Sequence, residues 1–183
     1  MGYHRAGFDV VGVDIEPRPD YPFEFHQADA MTYPLDGFDA IHASPPCQRY
    51  STATAWRGDP DSHPDLLVLV VERLTAHCVP YVVENVPGAP IEADMMLCGS
   101  MFGLPIRRHR YFVVRPTPPL QFSSGCRHRA SDLAFMHKGE RAYADAMGVT
   151  WTDVKSARQC IPPAYTEHIG RQMMAAMTKD EAA

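Results

Sequence analysis

No stretch of this chain comes near the roughly 18 consecutive apolar residues that a membrane-crossing helix needs. The amino terminus lacks the charged-then-apolar layout of a secretory leader, so no membrane partner is expected. Cysteine is sparse: Cys47, Cys78, Cys98, Cys126 and Cys160 are odd in number, widely spaced and form no C-x-x-C pair. That usage excludes a disulfide framework and points to a reduced, cytoplasmic protein. It also argues against a metal, because Cys126, His128 and His137 are joined by no second close pair to complete a tetrahedral set. Internal repeats and low-complexity tracts are missing. Residues 95–131 lack Asp and Glu altogether but hold six arginines, at 107, 108, 110, 115, 127 and 129. The whole chain has a net charge of −5, so this is a basic segment in an acidic protein, as local phosphate contact requires.

What is present suffices for a full core: 183 residues, 45% of them hydrophobic, fit one globular domain with at most a small appendage. Met1 to Gly7 reads as the last turn of a helix ended by glycine. Phe8 to Glu16 reads as a buried strand tipped with acids, and Glu24 to Asp29 as a second, shorter one. Phe38 to Ala43 is a third apolar run, which Pro45 and Pro46 terminate by fixing φ and removing backbone donors. Cys47 therefore sits just past the carboxyl end of a strand, where open α/β sheets place their ligands. Residues 48–64 are polar and read as a long loop or lid. A helix follows from Pro64 to about His77, then strands near Val82–Val86, Met95–Cys98 and Arg110–Val114. Helical patterns resume at 140–147, 152–159 and 163–178. Short strands alternating with helices predict an α/β fold with a mostly parallel sheet and helices on both faces.

Four motifs, in order, resemble those of the S-adenosylmethionine-dependent cytosine C5-methyltransferases. They are Pro45-Pro46-Cys47-Gln48, Glu84-Asn85-Val86, Arg108-His109-Arg110 and Ile161-Pro162-Pro163-Ala164-Tyr165. The resemblance implies a Rossmann-like methyltransferase fold and methyl transfer to carbon 5 of cytosine in DNA. The chemistry explains the residue types. Carbon 5 is a poor nucleophile until a thiolate adds to carbon 6, a role that falls to Cys47. Glu84 would donate to the N3 edge of the ring if its carboxyl held a proton. Arg110 would hold the O2 oxygen, supported by Arg108. A base in duplex DNA must first be flipped out of the stack. Gln48, Arg49, Arg57 and Arg107 are the residues this reading sets against nucleic acid, and Trp56 and Tyr50 would either stack on bases or pack.

The same resemblance places S-adenosylmethionine against Asp14 or Glu16 through its ribose, against Asp29 through its adenine, and beside Pro45 and Pro163. It divides the chain into a catalytic and cofactor-binding core (1–114), a short linker or reduced recognition region (115–150) and C-terminal helices completing the core (151–183). Two departures stand out. The family's first strand and glycine-rich turn are not in the sequence, which predicts a gap between the Val10 and Cys47 strands. The recognition region is also small, as in bacteriophage enzymes, so specificity would be relaxed, supplied by a recognition subunit, or directed at a free cytosine nucleotide. Such enzymes work in the host cytoplasm, often in a restriction–modification setting. The rival from another class is a catalytically silent DNA-binding remnant.

Overall fold

A computed structural model describes residues 1–116 and 125–180, apart from the side chains of Ala53, Arg57, Phe135, Lys179 and Asp180. Residues 117–124, within the expected linker, lie outside the described residues. The chain forms two compact units, each assembled from separate stretches. One comprises Pro34–Leu97 and the described part of His109–Thr117. The other comprises Met1–Tyr33, Cys98–Arg108 and the described part of Pro118–Ala183.

The first of these units is built on a four-stranded sheet. Its strands are β3 (Ile41–Ala43), β4 (Tyr81–Asn85), β5 (Met95–Leu97) and β6 (Arg110–Arg115), in the spatial order β3-β4-β6-β5. β3 and β4 are parallel, with Ile41 opposite Tyr81 and Ala43 opposite Val83. Parallel neighbours need a crossover, and helix α3 (Leu67–His77) provides it. Leu67 and Leu74 lie one heptad apart on its inner face and pack with Tyr81, Val83 and Val113, while Val68 and Leu69 turn to solvent. α3 gives way to Cys78 in the left-handed region (φ 60°), where glycine is the usual residue. Every residue of β4 is buried, whereas β3, at the sheet edge, is half-buried throughout.

The other unit carries a parallel pair, β1 (Val11–Asp14) and β2 (Glu24–Gln27), with Asp14 opposite Gln27. Helix α1 (Gly2–Arg5) lies on the long helix α6 (Pro163–Asp180). The approach is close enough that a Cβ on Gly2 would fall 2.0 Å from Thr166 Oγ1 and 2.2 Å from the Pro163 carbonyl. Helices α4 (Arg141–Ala146) and α5 (Val154–Ala157) enclose a core of Ile106, Tyr143, Ala144, Met147, Val149 and Ala157. Asp153 caps α5 by accepting from the Lys155 and Ser156 amides.

The α/β class holds, but the mostly parallel sheet does not. There are two sheets among the described residues, and β4–β6 and β5–β6 pair antiparallel while β1–β2 and β3–β4 are parallel. The cause is the short connection from β5 to β6. It holds a single 3-10 turn (Gly99–Phe102) closed by Gly103 at φ 71° and no crossover helix, so the chain returns antiparallel. The 48–64 stretch is also more regular than its polarity suggests. It contains 3-10 turns at Gln48–Tyr50 and Pro60–Ser62 and a helix, α2 (Thr52–Arg57). Ser51 and Asp59 cap the last two by accepting from Thr54 and Asp61 amides at 3.2 and 3.0 Å. Among the described residues, no helix is long and apolar enough to cross a membrane.

Candidate functional site

Strand direction fixes where the candidate catalytic residues meet. Because β3 and β4 are parallel, their carboxyl ends share one edge of the sheet, and because β6 is antiparallel, its beginning lies there too. Glu84 is opposite Phe112 and Asn85 opposite Tyr111, which leaves Arg110 one step past the tip of β4. Arg110 Nε lies 2.7 Å from Glu84 Oε1 in an ion pair, and the two side chains are only 16% and 8% exposed. The loop after β3 is held to the same edge: Asn85 Nδ2 donates to the Pro45 carbonyl at 3.2 Å in a buried bond. Pro45 is buried, and Cys47 is half-buried with helical backbone (φ −95°, ψ −2°), heading the Gln48–Tyr50 turn. Gly88 has φ 120° and runs close beneath this turn; a Cβ there would sit 3.2 Å from the Tyr50 carbonyl. The structure thus brings the Cys47 loop, Glu84 and Arg110 to one sheet edge. Asn85, known from the sequence only as part of a motif, is what ties the loop down.

The ionisable neighbours of this edge are perturbed by burial. His42 on β3 bonds Ser44 Oγ at 2.9 Å, and although its ring keeps some solvent contact, desolvation pushes its pKa down to about 4. Desolvation, then the hydrogen bond to Asp65, pushes the Tyr50 hydroxyl up to about 12. Tyr50 is therefore engaged with Asp65, whereas Trp56 stands 88% exposed on α2.

The nucleic-acid candidates divide. Gln48 is exposed. Arg49 is drawn into its own loop, donating to Asp61 at 2.8 Å and to the Pro60 carbonyl at 3.4 Å, with Asp65 at 3.6 Å. The side chain of Arg57 lies outside the described residues. In the other unit, Ile106, Arg107 and Arg108 alternate buried, exposed, buried, so Arg107 faces solvent while its amide bonds the Leu133 carbonyl at 2.7 Å.

Arg108 holds structure together. Buried in its unit, it donates to Tyr143 Oη at 3.2 Å and to the carbonyls of Arg158 and Cys160 at 3.1 and 2.7 Å. Tyr165 Oη donates to the Arg108 carbonyl at 2.6 Å. These bonds tie the Ile161–Tyr165 motif in place, with Pro163 buried as the first residue of α6.

The acids that the resemblance sets against a cofactor, Asp14, Glu16 and Asp29, stand at the carboxyl ends of β1 and β2. Asp14 is already engaged: Arg18 donates to it from Nε at 2.9 Å and pairs with it through Nη2 at 2.8 Å, and the Glu16 amide donates at 2.9 Å. Glu16 is exposed. Asp29 is exposed as well and accepts from the Met31 amide at 2.8 Å, which shapes the turn after β2. Compared with family models, curated proteins and solved structures, the chain has no match.

Proposed function

We propose that the chain is a DNA cytosine C5-methyltransferase that uses S-adenosylmethionine on a Rossmann-like scaffold. The observation that carries the reading is the common sheet edge of the Cys47 loop, Glu84 and Arg110, with the last two paired at 2.7 Å. An acid and a guanidinium side by side match the N3 and O2 edge of a cytosine ring, one donating to nitrogen and the other to oxygen. The ion pair favours the charged carboxylate, so a bound ring has to draw Arg110 onto its O2 and leave Glu84 to take up a proton for N3. The Cys47 thiolate then adds to carbon 6, and the electron pair released into the ring makes carbon 5 nucleophilic. A base such as water then takes the carbon 5 proton, the C–H electron pair re-forms the C5–C6 double bond, and the C6–S bond breaks to return the Cys47 thiolate.

The acids of the other unit fit the cofactor by donor type. Carboxylates accept from ribose hydroxyls and from an adenine amino group, and Glu16 and Asp29 both present theirs to solvent at neighbouring strand ends. Glu16 is preferred to Asp14, which Arg18 already neutralises. When bound, S-adenosylmethionine supplies the electrophilic methyl group. Gln48, Arg107 and Trp56 are the exposed groups that would meet DNA, Trp56 by stacking on an unpaired base.

The test is transfer of labelled methyl from S-adenosylmethionine into unmethylated duplex DNA. Label in 5-methylcytosine that Cys47→Ser abolishes is expected; equal label from that variant overturns the mechanism. One observation favours a second reading, methylation of a free cytosine nucleotide: Arg49 is held by Asp61 and Asp65, which shrinks the phosphate footprint. A shallow salt dependence of substrate binding would select it, since several phosphate contacts give a steep slope.

A further inference from the structure

Besides these residues, two sulfurs and an imidazole converge within the unit that contains Cys98–Arg108. Cys98 is fully buried at the start of the Gly99–Phe102 turn. Its Sγ lies 3.7 Å from His128 Nδ1 and 3.9 Å from Nε2. Cys126 Sγ lies 2.8 Å from His128 Nε2, and the ligand atoms of Cys98, Cys126 and His128 all fall within 4.8 Å of one another. Ser100 stands beside both sulfurs, with its Oγ 3.6 Å from Cys98 and 3.7 Å from Cys126. The same hydroxyl accepts the Arg127 amide at 3.0 Å, which positions the Cys126–His128 segment.

We propose that Cys98, Cys126 and His128 form a structural site for a soft divalent metal, zinc above all, with the fourth position filled from outside this trio. Zinc–sulfur and zinc–nitrogen bonds of about 2.3 and 2.0 Å set tetrahedral ligand separations of about 3.3–3.8 Å. The observed sulfur–nitrogen distances of 2.8 to 3.9 Å bracket that range, so shifts of about 1 Å or less would seat the ion. Two thiolates and an imidazole select zinc over magnesium or calcium, which prefer oxygen. Each thiol gives up its proton on ligation, so binding releases protons and strengthens as pH rises. The ion would give residues 125–129 what they otherwise lack: they form neither helix nor strand, and the metal would staple them to the turn that leads to Arg107 and Arg108. His137, the third residue the sequence associates with Cys126 and His128, is elsewhere engaged, its Nδ1 accepting from the Ala134 amide at 3.0 Å. The sequence alone misses the site because Cys98 lies far along the chain from Cys126-x-His128.

The experiment uses the full chain, stripped with chelator under reducing conditions and titrated with cobalt(II), then with zinc. Expected are one equivalent of cobalt with thiolate charge-transfer absorption and tetrahedral d–d bands, displaced by one equivalent of zinc. Cys126→Ser and His128→Ala, both at positions with solvent access, should lose the charge-transfer band, while Cys78→Ser, at an exposed cysteine outside the cluster, keeps it. Absence of the band in the unaltered chain overturns the proposal. So does a band that survives Cys126→Ser and His128→Ala, or a Cys98–Cys126 disulfide in freshly purified protein. None of these readouts depends on methyl transfer, so this inference and the proposed function fail separately.

Discussion

Each unit of the molecule places an acid and an arginine at the tip of a strand, and the two pairs live in different media. Glu84 and Arg110 are 8% and 16% exposed at the end of a fully buried strand. Asp14 and Arg18 are 34% and 33% exposed and one helical turn apart in sequence, at the end of a half-buried one. The bond lengths are nearly the same, 2.7 and 2.8 Å, so distance does not separate them. Solvent does. A desolvated pair is costly to form and worse to break, because the surviving charge is stranded, whereas an exposed pair is screened and worth little.

The comparison is sharpened most by removing the acid from each pair. Glu84→Ala should lower stability by about 3 kcal/mol, since the largely desolvated Arg110 guanidinium loses the carboxylate it pairs with. Asp14→Ala should cost less than about 1 kcal/mol. Urea unfolding of the two variants measures both; equal losses would break the contrast.

A second contrast lies within one motif, Arg108-His109-Arg110. Arg110 faces an acid, while Arg108 donates to Tyr143 and to the carbonyls of Arg158 and Cys160. Arg108→Ala should therefore destabilise by about 2 kcal/mol through the orphaned carbonyls. Arg110→Ala should also cost stability, because it strands the buried Glu84 carboxylate, but unlike Arg108→Ala it should cost turnover beyond what that loss explains. Equal effects of both variants on stability and turnover would erase the distinction.

Smaller in size is a pH effect at the buried sheet. The folded pKa of His42, about 4, lies below its ordinary value of 6.5. Between those values the unfolded chain binds the proton and the folded chain does not, so stability is fully present above pH 6.5 and is lost as pH falls toward 4. The loss should be about 1–2 kcal/mol, less than the full shift implies because the ring keeps some solvent contact. Denaturation midpoints across that window should flatten in His42→Gln; an unchanged slope would remove His42 as the cause. Least of all in stability is Trp56→Ala, expected within about 0.5 kcal/mol, yet it should weaken single-stranded DNA binding by about 1 kcal/mol. Unaltered affinity would take Trp56 out of the interface.

Much of this was legible in the residues. Apolar runs closed by prolines or acids mark β1 to β4 and put Cys47 and Glu84 near strand tips, and a further run that opens at Arg110 marks β6. Strand direction was not legible, because period-2 alternation looks alike in parallel and antiparallel strands, and so β5–β6 came as a correction. α2 was hidden because its start signal is a polar cap, Ser51, with no apolar stripe behind it. The fates of the arginines were hidden for a different reason. Arg49 in a polar loop and Arg108 in a basic segment look like substrate-site residues, and only partners elsewhere in the chain, Asp61 and the Arg158 and Cys160 carbonyls, show them engaged.

The central claim is that Cys47 attacks carbon 6 of a cytosine held by Glu84 and Arg110. Its most direct test needs no methyl donor. Thiolate addition makes carbon 5 exchange its hydrogen with water, so DNA carrying cytosine tritiated at carbon 5 should release tritium when incubated with the protein. The account predicts release from the unaltered chain and none from Cys47→Ser or Glu84→Gln. Release that persists in Cys47→Ser, or no release from the unaltered chain while it binds the DNA, would contradict it.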